Sequence, residues 1–89
     1  MTGRAQLVPF PMARRRALVQ KLARQMLDRS PAAADKHLDV ELRRHRAVLE
    51  RRNFAPAIVT AQLKALEAAV RTELWRLVMY PRRPTGGAA

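Results

Sequence analysis

The sequence has 89 residues, no cysteine, and 18 Lys and Arg side chains against 7 Asp and Glu, which gives a formal net charge of +11. A chain of this length forms one domain with a modest core, so a large catalytic cleft is not expected. The lack of cysteine excludes disulfides and thiolate metal sites. A charge this positive is typical of proteins that contact polyanions.

The positive charge is concentrated in two segments of the chain. Residues 1–29 contain seven basic residues and one acid, and residues 43–54 contain five basic residues and one acid. Arginine and lysine side chains bind phosphates through charge-assisted hydrogen bonds. From these segments we predict ten nucleic-acid contacts: Arg14, Arg15, Arg16, Lys21, Arg24, Arg43, Arg44, Arg46, Arg51 and Arg52.

Residues 1–11 are predicted to form an extended N-terminal arm that leads into the first helix. The arm contains the segment LVPFP, whose prolines favour an extended chain. Pro11 suits the first turn of a helix, and no breaker follows before position 28. We therefore predict a helix over residues 12–28, with a buried stripe made of Val19, Leu22, Ala23 and Met26.

The next two helices are predicted over residues 31–52 and 56–80. Ser30 and Pro31 form a helix start, since serine can cap free N–H groups. Asn53 is placed to take the left-handed conformation that ends a helix, and Pro56 can open the next one. The stripe of the second helix is Ala34, Leu38, Leu42, His45 and Leu49. The connection is short, so these helices should be antiparallel neighbours.

The third predicted helix has two apolar faces. One face contains Val59, Leu63, Leu66, Val70, Leu74 and Leu77, and the other contains Ala61, Ala68, Trp75 and Met79. The second face needs a cover, which the first helix, the LVPFP arm or another subunit could supply. The predicted interaction residues are Leu7, Val8, Phe10, Trp75 and Met79. The favoured arrangement is the arm packed on Ala68, Trp75 and Met79 of its own domain.

The predicted fold class is all-α. The second and third helices form an antiparallel hairpin, and the N-terminal helix packs on it to complete a three-helix bundle over residues 12–80. Pro81 ends the last helix, and residues 81–89 are predicted to be a disordered tail because they lack apolar periodicity.

The segments LVPFP, ARRR and LKALEAAVRTELWRLV carry a family resemblance. The chain resembles a family of small uncharacterised alphaproteobacterial proteins over most of residues 7–80. The resemblance implies a compact bacterial helical protein, and it implies no catalytic residue and no cofactor.

Catalysis and metal binding find no support in the sequence. His37 and His45 lie about 12 Å apart along one helix, too far to share a metal ion. Thr60, Thr72 and Ser30 have no base at a suggestive spacing, and the glycines lie only near the termini. We expect no enzyme activity, no cofactor and no metal.

The remaining function classes are binding classes. The favoured hypothesis is a regulatory or accessory protein that contacts DNA or RNA without sequence specificity. The alternative is an oligomeric adaptor, either a homodimer or the binder of a helical partner, whose charge serves only solubility. A basic surface without a ligand and a membrane-surface role for the first helix also stay open. No run of 18 apolar residues occurs, so we expect no membrane span and a cytoplasmic location.

Overall fold

The protein is built from three α-helices joined by short connections. The computed structural model describes residues 11–80, in which a 3-10 turn, Met12–Arg14, precedes α1 (Arg16–Leu27), α2 (Pro31–Arg51) and α3 (Pro56–Met79). The helices pack on one another, which confirms the predicted all-α three-helix bundle. Residues 1–10 of the predicted arm and the whole predicted tail lie outside the described residues.

The start of the first helix differs from the predicted continuous segment 12–28. The N–H groups of Arg14 and Arg15 bind the carbonyls of Pro11 and Met12 at 3.0 and 3.1 Å, which are the short-range bonds of a 3-10 turn. Arg15 then leaves the helical region with φ −80° and ψ 84°. The cause is tertiary, because Met12 is only 4% exposed and its N–H donates to Oε1 of Gln62 in α3 at 2.9 Å.

Both predicted signals around α2 are confirmed. The Oγ of Ser30 accepts a hydrogen bond from the N–H of Ala33 at 3.3 Å, and Pro31 is the first helical residue. At the other end Asn53 has φ 65°. The N–H groups of Asn53 and Phe54 bind the carbonyls of Glu50 and Leu49 at 2.9 and 3.3 Å, which is a Schellman motif. The turn therefore sends the chain directly back into α3.

The core is formed by the apolar stripes of the three helices. The predicted stripe of α1 is buried throughout, while His45 and Leu42 on α2 and Leu74 on α3 are only partly buried. No polar or charged side chain is fully buried among residues 11–80. The buried core residues are Met12, Val19, Leu22, Ala23, Met26, Ala34, Leu38, Leu49, Val59, Leu63, Leu66, Val70 and Leu77.

The direction of each helix follows from contacts at the two ends of the bundle. The end of α1 lies beside the start of α2, where Nε2 of His37 and Oε1 of Gln25 are 2.7 Å apart. The start of α1 lies beside the end of α2, where Arg15 and Arg52 line one groove. Helix α1 is thus antiparallel to α2, and because Met12 meets Gln62 near the start of α3, it is parallel to α3.

Candidate nucleic-acid interface

A groove between the start of α1 and the end of α2 brings together part of the predicted basic set. Its volume is about 390 Å³. Arg15 lines it from the junction before α1, and Arg52 lines it from the residue that follows α2. His45 lies on its α2 wall. The remaining lining residues are Met12, Val48, Leu49 and Phe54, so apolar walls hold two guanidinium groups and an imidazole.

His45 is half-buried on this wall, and its pKa is lowered from the usual 6.5. Burial is the largest cause, because it penalises the charged form. The charge of Glu41 opposes the shift, and the positive charges of Arg15, Arg44 and Lys21 add to it. The same neighbours show that charged groups of both α1 and α2 act on the imidazole. The ring is thus influenced by three cations and one carboxylate.

Ion pairs divide the predicted basic residues into two groups. On α2, Arg43 pairs with Asp39, Nη1 of Arg44 lies 3.0 Å from Oε2 of Glu41, and Nη1 of Arg46 lies 3.9 Å from Oε2 of Glu50. Surface pairs of this kind stabilise little, but they place a carboxylate beside each guanidinium. Within residues 11–80, no carboxylate lies within ion-pair distance of the other seven: Arg14, Arg15, Arg16, Lys21, Arg24, Arg51 and Arg52.

Two of these seven residues lie toward α3 and not in the groove. Arg16 lines a second cleft with Glu73 between α1 and α3. The pKa of Glu73 is lowered, chiefly by its hydrogen bond from Arg76, while burial opposes the shift and the charges of Arg76, Arg16 and Arg24 add to it. The positive charges of Arg16 and Arg24 therefore act on the Glu73 carboxylate.

A third groove, between α2 and α3, contains two more of the predicted contacts. Arg43 and Arg46 line it together with Lys64, beside the carboxylates of Asp39 and Glu67. The ten predicted contacts thus do not form one surface. Arg15 and Arg52 line the α1/α2 groove, and Lys21 and Arg44 act through their charges on His45, which lines it too. Arg14 and Arg51 are exposed chain neighbours of Arg15 and Arg52.

The pairing on α2 has a signal in the sequence that a run of basic residues alone does not reveal. Asp39 and Arg43 are four residues apart, Glu41 and Arg44 three, and Glu50 follows Arg46 by four. Side chains at these spacings are neighbours on a helix. Counting carboxylates at three and four residues would have separated the paired arginines from Arg51 and Arg52. Gln62 carries no comparable signal, since its bond to Met12 spans 50 residues.

Two of the five predicted interaction residues lie within the described residues, and three lie outside them. Trp75 is 63% exposed and Met79 is 49% exposed on the outer side of α3. Leu7, Val8 and Phe10 lie outside the described residues, so packing of the arm on Trp75 stays a prediction.

The two histidines have separate surroundings. His37 contacts Gln25 between α1 and α2, while His45 faces the groove. Among residues 11–80, no three His, Asp or Glu side chains come together in a way that suits a metal ion. None of the helices in this range is both long and apolar enough to cross a membrane.

The fold and the groove define a small all-α protein with a basic cleft at one end of a three-helix bundle. The chain belongs to a family of unknown function, DUF6074, whose sequence profile matches residues 3–85. The resemblance to an uncharacterised family is confirmed at this level. No curated protein and no solved structure matches the chain.

Proposed function

We propose that the protein is a non-enzymatic regulatory or accessory factor that binds the phosphates of DNA or RNA through the α1/α2 groove. The observation that carries the proposal is that Arg15 and Arg52 line one groove with His45, whose imidazole is also influenced by the charge of Lys21. In residues 11–80 no carboxylate lies within ion-pair distance of these three cations. A cation that has no internal counter-charge is available to a ligand phosphate.

The chemistry of the groove suits a phosphate backbone. Guanidinium groups bind phosphate oxygens in a bidentate manner, and lysine adds a point charge. Arg14 and Arg51 extend the positive surface beyond the groove. The stacking platforms that read single strands use exposed aromatic side chains, whereas Phe54, the aromatic residue of the groove, is partly buried against the core. These features support backbone binding without base readout.

The first test is a fluorescence-anisotropy titration of the whole protein with random-sequence duplex DNA and with single-stranded DNA and RNA. The affinity should fall steeply as salt rises, because phosphate binding releases counterions. A protein that shows no binding near about 100 mM salt would contradict the proposal.

The second candidate is an oligomeric protein-interaction adaptor whose positive charge has no nucleic-acid role. The exposure of Trp75 and Met79 on α3 favours it, because large exposed apolar patches mark interaction surfaces. We also propose a cytoplasmic location. We further propose that LVPFP followed by an arginine run marks an alphaproteobacterial branch of the family.

A further inference from the structure

The outer side of α3 carries an uncharged, mostly apolar stripe that is exposed along its length and borders α1 at Ala68 and Thr72. Its members are spaced four, three, four, three and four residues apart, which is the spacing of a coiled-coil seam. All of them are exposed, and Trp75 is the most exposed large apolar side chain of the stripe at 63%. The stripe consists of Ala61, Ala65, Ala68, Thr72, Trp75 and Met79.

The stripe is also free of charge in a strongly basic protein. None of its six side chains ionises, and two flanking cations are already neutralised. Arg71 lies 3.3 Å from Oδ1 of Asp35 and 3.2 Å from Oε2 of Glu67, and Arg76 lies 2.5 Å from Oε2 of Glu73. Arg16 of α1 and Glu73 line the same cleft as Ala68 and Thr72, so one cation and one carboxylate border the middle of the stripe. The stripe itself adds no positive charge to a contact with a second positive chain.

We propose that this stripe is a homodimer interface in which α3 packs antiparallel on α3 of a second copy. The side chains of the stripe differ in size from one end to the other. The large residues Trp75 and Met79 lie at its C-terminal end, and the alanines lie toward its N-terminal end. A stripe of this kind is complementary to itself only when the two helices run in opposite directions.

The heptad spacing also fixes the register. The stripe alternates between the two apolar positions of a heptad, a and d. In an antiparallel pair, each a position faces a d position of the other helix. With the two-fold axis at the level of residue 70, Trp75 faces Ala65 of the second copy, Thr72 faces Ala68, and Met79 faces Ala61. Each layer then joins a larger side chain to an alanine. In a parallel pair Trp75 would meet Trp75, and the bulky end would hold the alanine end apart.

A second copy fits this stripe better than the N-terminal arm does. Met12 is fixed beside Gln62, which lies about 20 Å along α3 from Trp75 at 1.5 Å per residue. The five residues from Met12 back to Leu7 span at most about 18 Å. The apolar residues of the arm are thus closer to the alanine half of the stripe than to the half that contains Trp75 and Met79.

The length of the stripe sets the expected strength of the dimer. Ala61 and Met79 are about 27 Å apart along the helix axis. Specific interfaces bury about 1,200 Å² or more in total. We expect a contact of this length between two helices to bury an area at the lower end of that range. We therefore expect a reversible dimer that dissociates on dilution. The stripe does not line the α1/α2 groove, so dimerisation leaves that groove open and does not depend on nucleic-acid binding.

Analytical ultracentrifugation of the whole protein over a concentration series tests the proposal. We expect the wild type to dimerise as concentration rises, and Ala68→Glu to abolish the dimer by placing like charges close to the two-fold axis. Val40→Glu is the matched control, because Val40 is also an exposed apolar side chain but lies on α2. A wild type that stays monomeric, or an equal loss of dimer in both variants, overturns the proposal.

The direction of the helices is tested by cysteine pairing, which is clean because the chain has no cysteine of its own. When Ala68→Cys and Thr72→Cys variants are mixed and oxidised, the antiparallel register predicts the mixed disulfide as the main product. Disulfides within each variant indicate a parallel pair and overturn the register. A monomer whose Trp75 emission shifts on Phe10→Ala assigns the stripe to the arm and also overturns the proposal.

Discussion

The backbone N–H of Met12 donates a 2.9 Å hydrogen bond to Oε1 of Gln62, which ties the chain before α1 to the first turns of α3. The bond is partly buried, and Met12 itself is packed into the core. Because α1 begins only four residues later, this contact also positions Arg15 at the mouth of the α1/α2 groove.

Replacing the acceptor at Gln62 should destabilise the fold. We expect Gln62→Ala to lower the free energy of unfolding by about 1–2 kcal/mol, because it leaves a partly buried N–H without a partner. Gln62→Glu keeps an acceptor oxygen and should retain most of the stability. Urea denaturation of both variants at neutral pH measures the difference. Equal midpoints for the alanine and glutamate variants would contradict the role of this bond.

The pKa of His45 predicts that stability falls on acidification. The folded-state pKa is lowered, so in the acidic range the unfolded chain binds more protons than the folded one, and stability rises with pH. The free energy of unfolding should begin to fall as the pH drops through about 6.5, the pKa of a histidine in the unfolded chain. It should stop falling once the pH is below the lower pKa of His45 in the folded protein. Denaturation at pH 7.5 and pH 5.5 should show this loss in the wild type and a smaller one in His45→Gln. An identical loss in both proteins would exclude His45 as its source.

The same histidine predicts that acid strengthens nucleic-acid binding. A phosphate in the groove would favour the protonated imidazole, and so raise the pKa of His45 toward or above its usual value. Binding then takes up a proton, so affinity should increase between pH 7.5 and pH 5.5 at constant salt. Anisotropy titrations of wild type and His45→Gln measure the effect. A wild-type affinity with the same pH dependence as the variant would place the phosphate away from His45.

The turn after α2 predicts a contrast between two substitutions at Asn53. Its φ of 65° is a left-handed conformation that glycine and asparagine tolerate and alanine does not. We expect Asn53→Ala to cost about 1 kcal/mol and Asn53→Gly to change stability by less than about 0.5 kcal/mol. Thermal unfolding of the two variants measures the difference. A glycine variant as unstable as the alanine variant would mean that the Asn53 side chain, and not its backbone angle, holds the turn.

The fold was largely predictable because its determinants are local. The Ser30 cap, the Asn53 turn and the apolar stripes of the helices depend on residues within one or two turns of each other. The break at Arg15 was not predictable in this way. It depends on Gln62, and nothing in the sequence around either residue indicates that they meet.

The candidate site was predictable only in part, because charge along a chain does not specify which helix faces share a groove. The run Arg14, Arg15 and Arg16 illustrates this limit. Arg15 lines the α1/α2 groove, and Arg16 lines the cleft toward α3. Arg15 has a non-helical backbone and Arg16 is the first residue of α1, so the two side chains leave the chain toward different surfaces. The pairing of Arg43 with Asp39, by contrast, was available from spacing alone.

The central claim is that unpaired cations of the α1/α2 groove bind nucleic-acid phosphates. It is tested most directly by the salt dependence of duplex-DNA affinity in two double variants. Arg15→Gln with Arg52→Gln removes two positive charges from the groove. The control, Arg43→Gln with Arg46→Gln, removes the same formal charge from side chains that already face carboxylates.

If the claim holds, the groove variant reduces the slope of log affinity against log salt by up to about 1.8, since each lost phosphate contact removes about 0.9. The control variant should lose less than half as much. Equal reductions in the two variants would show that affinity follows net charge alone and would contradict a binding site in the groove.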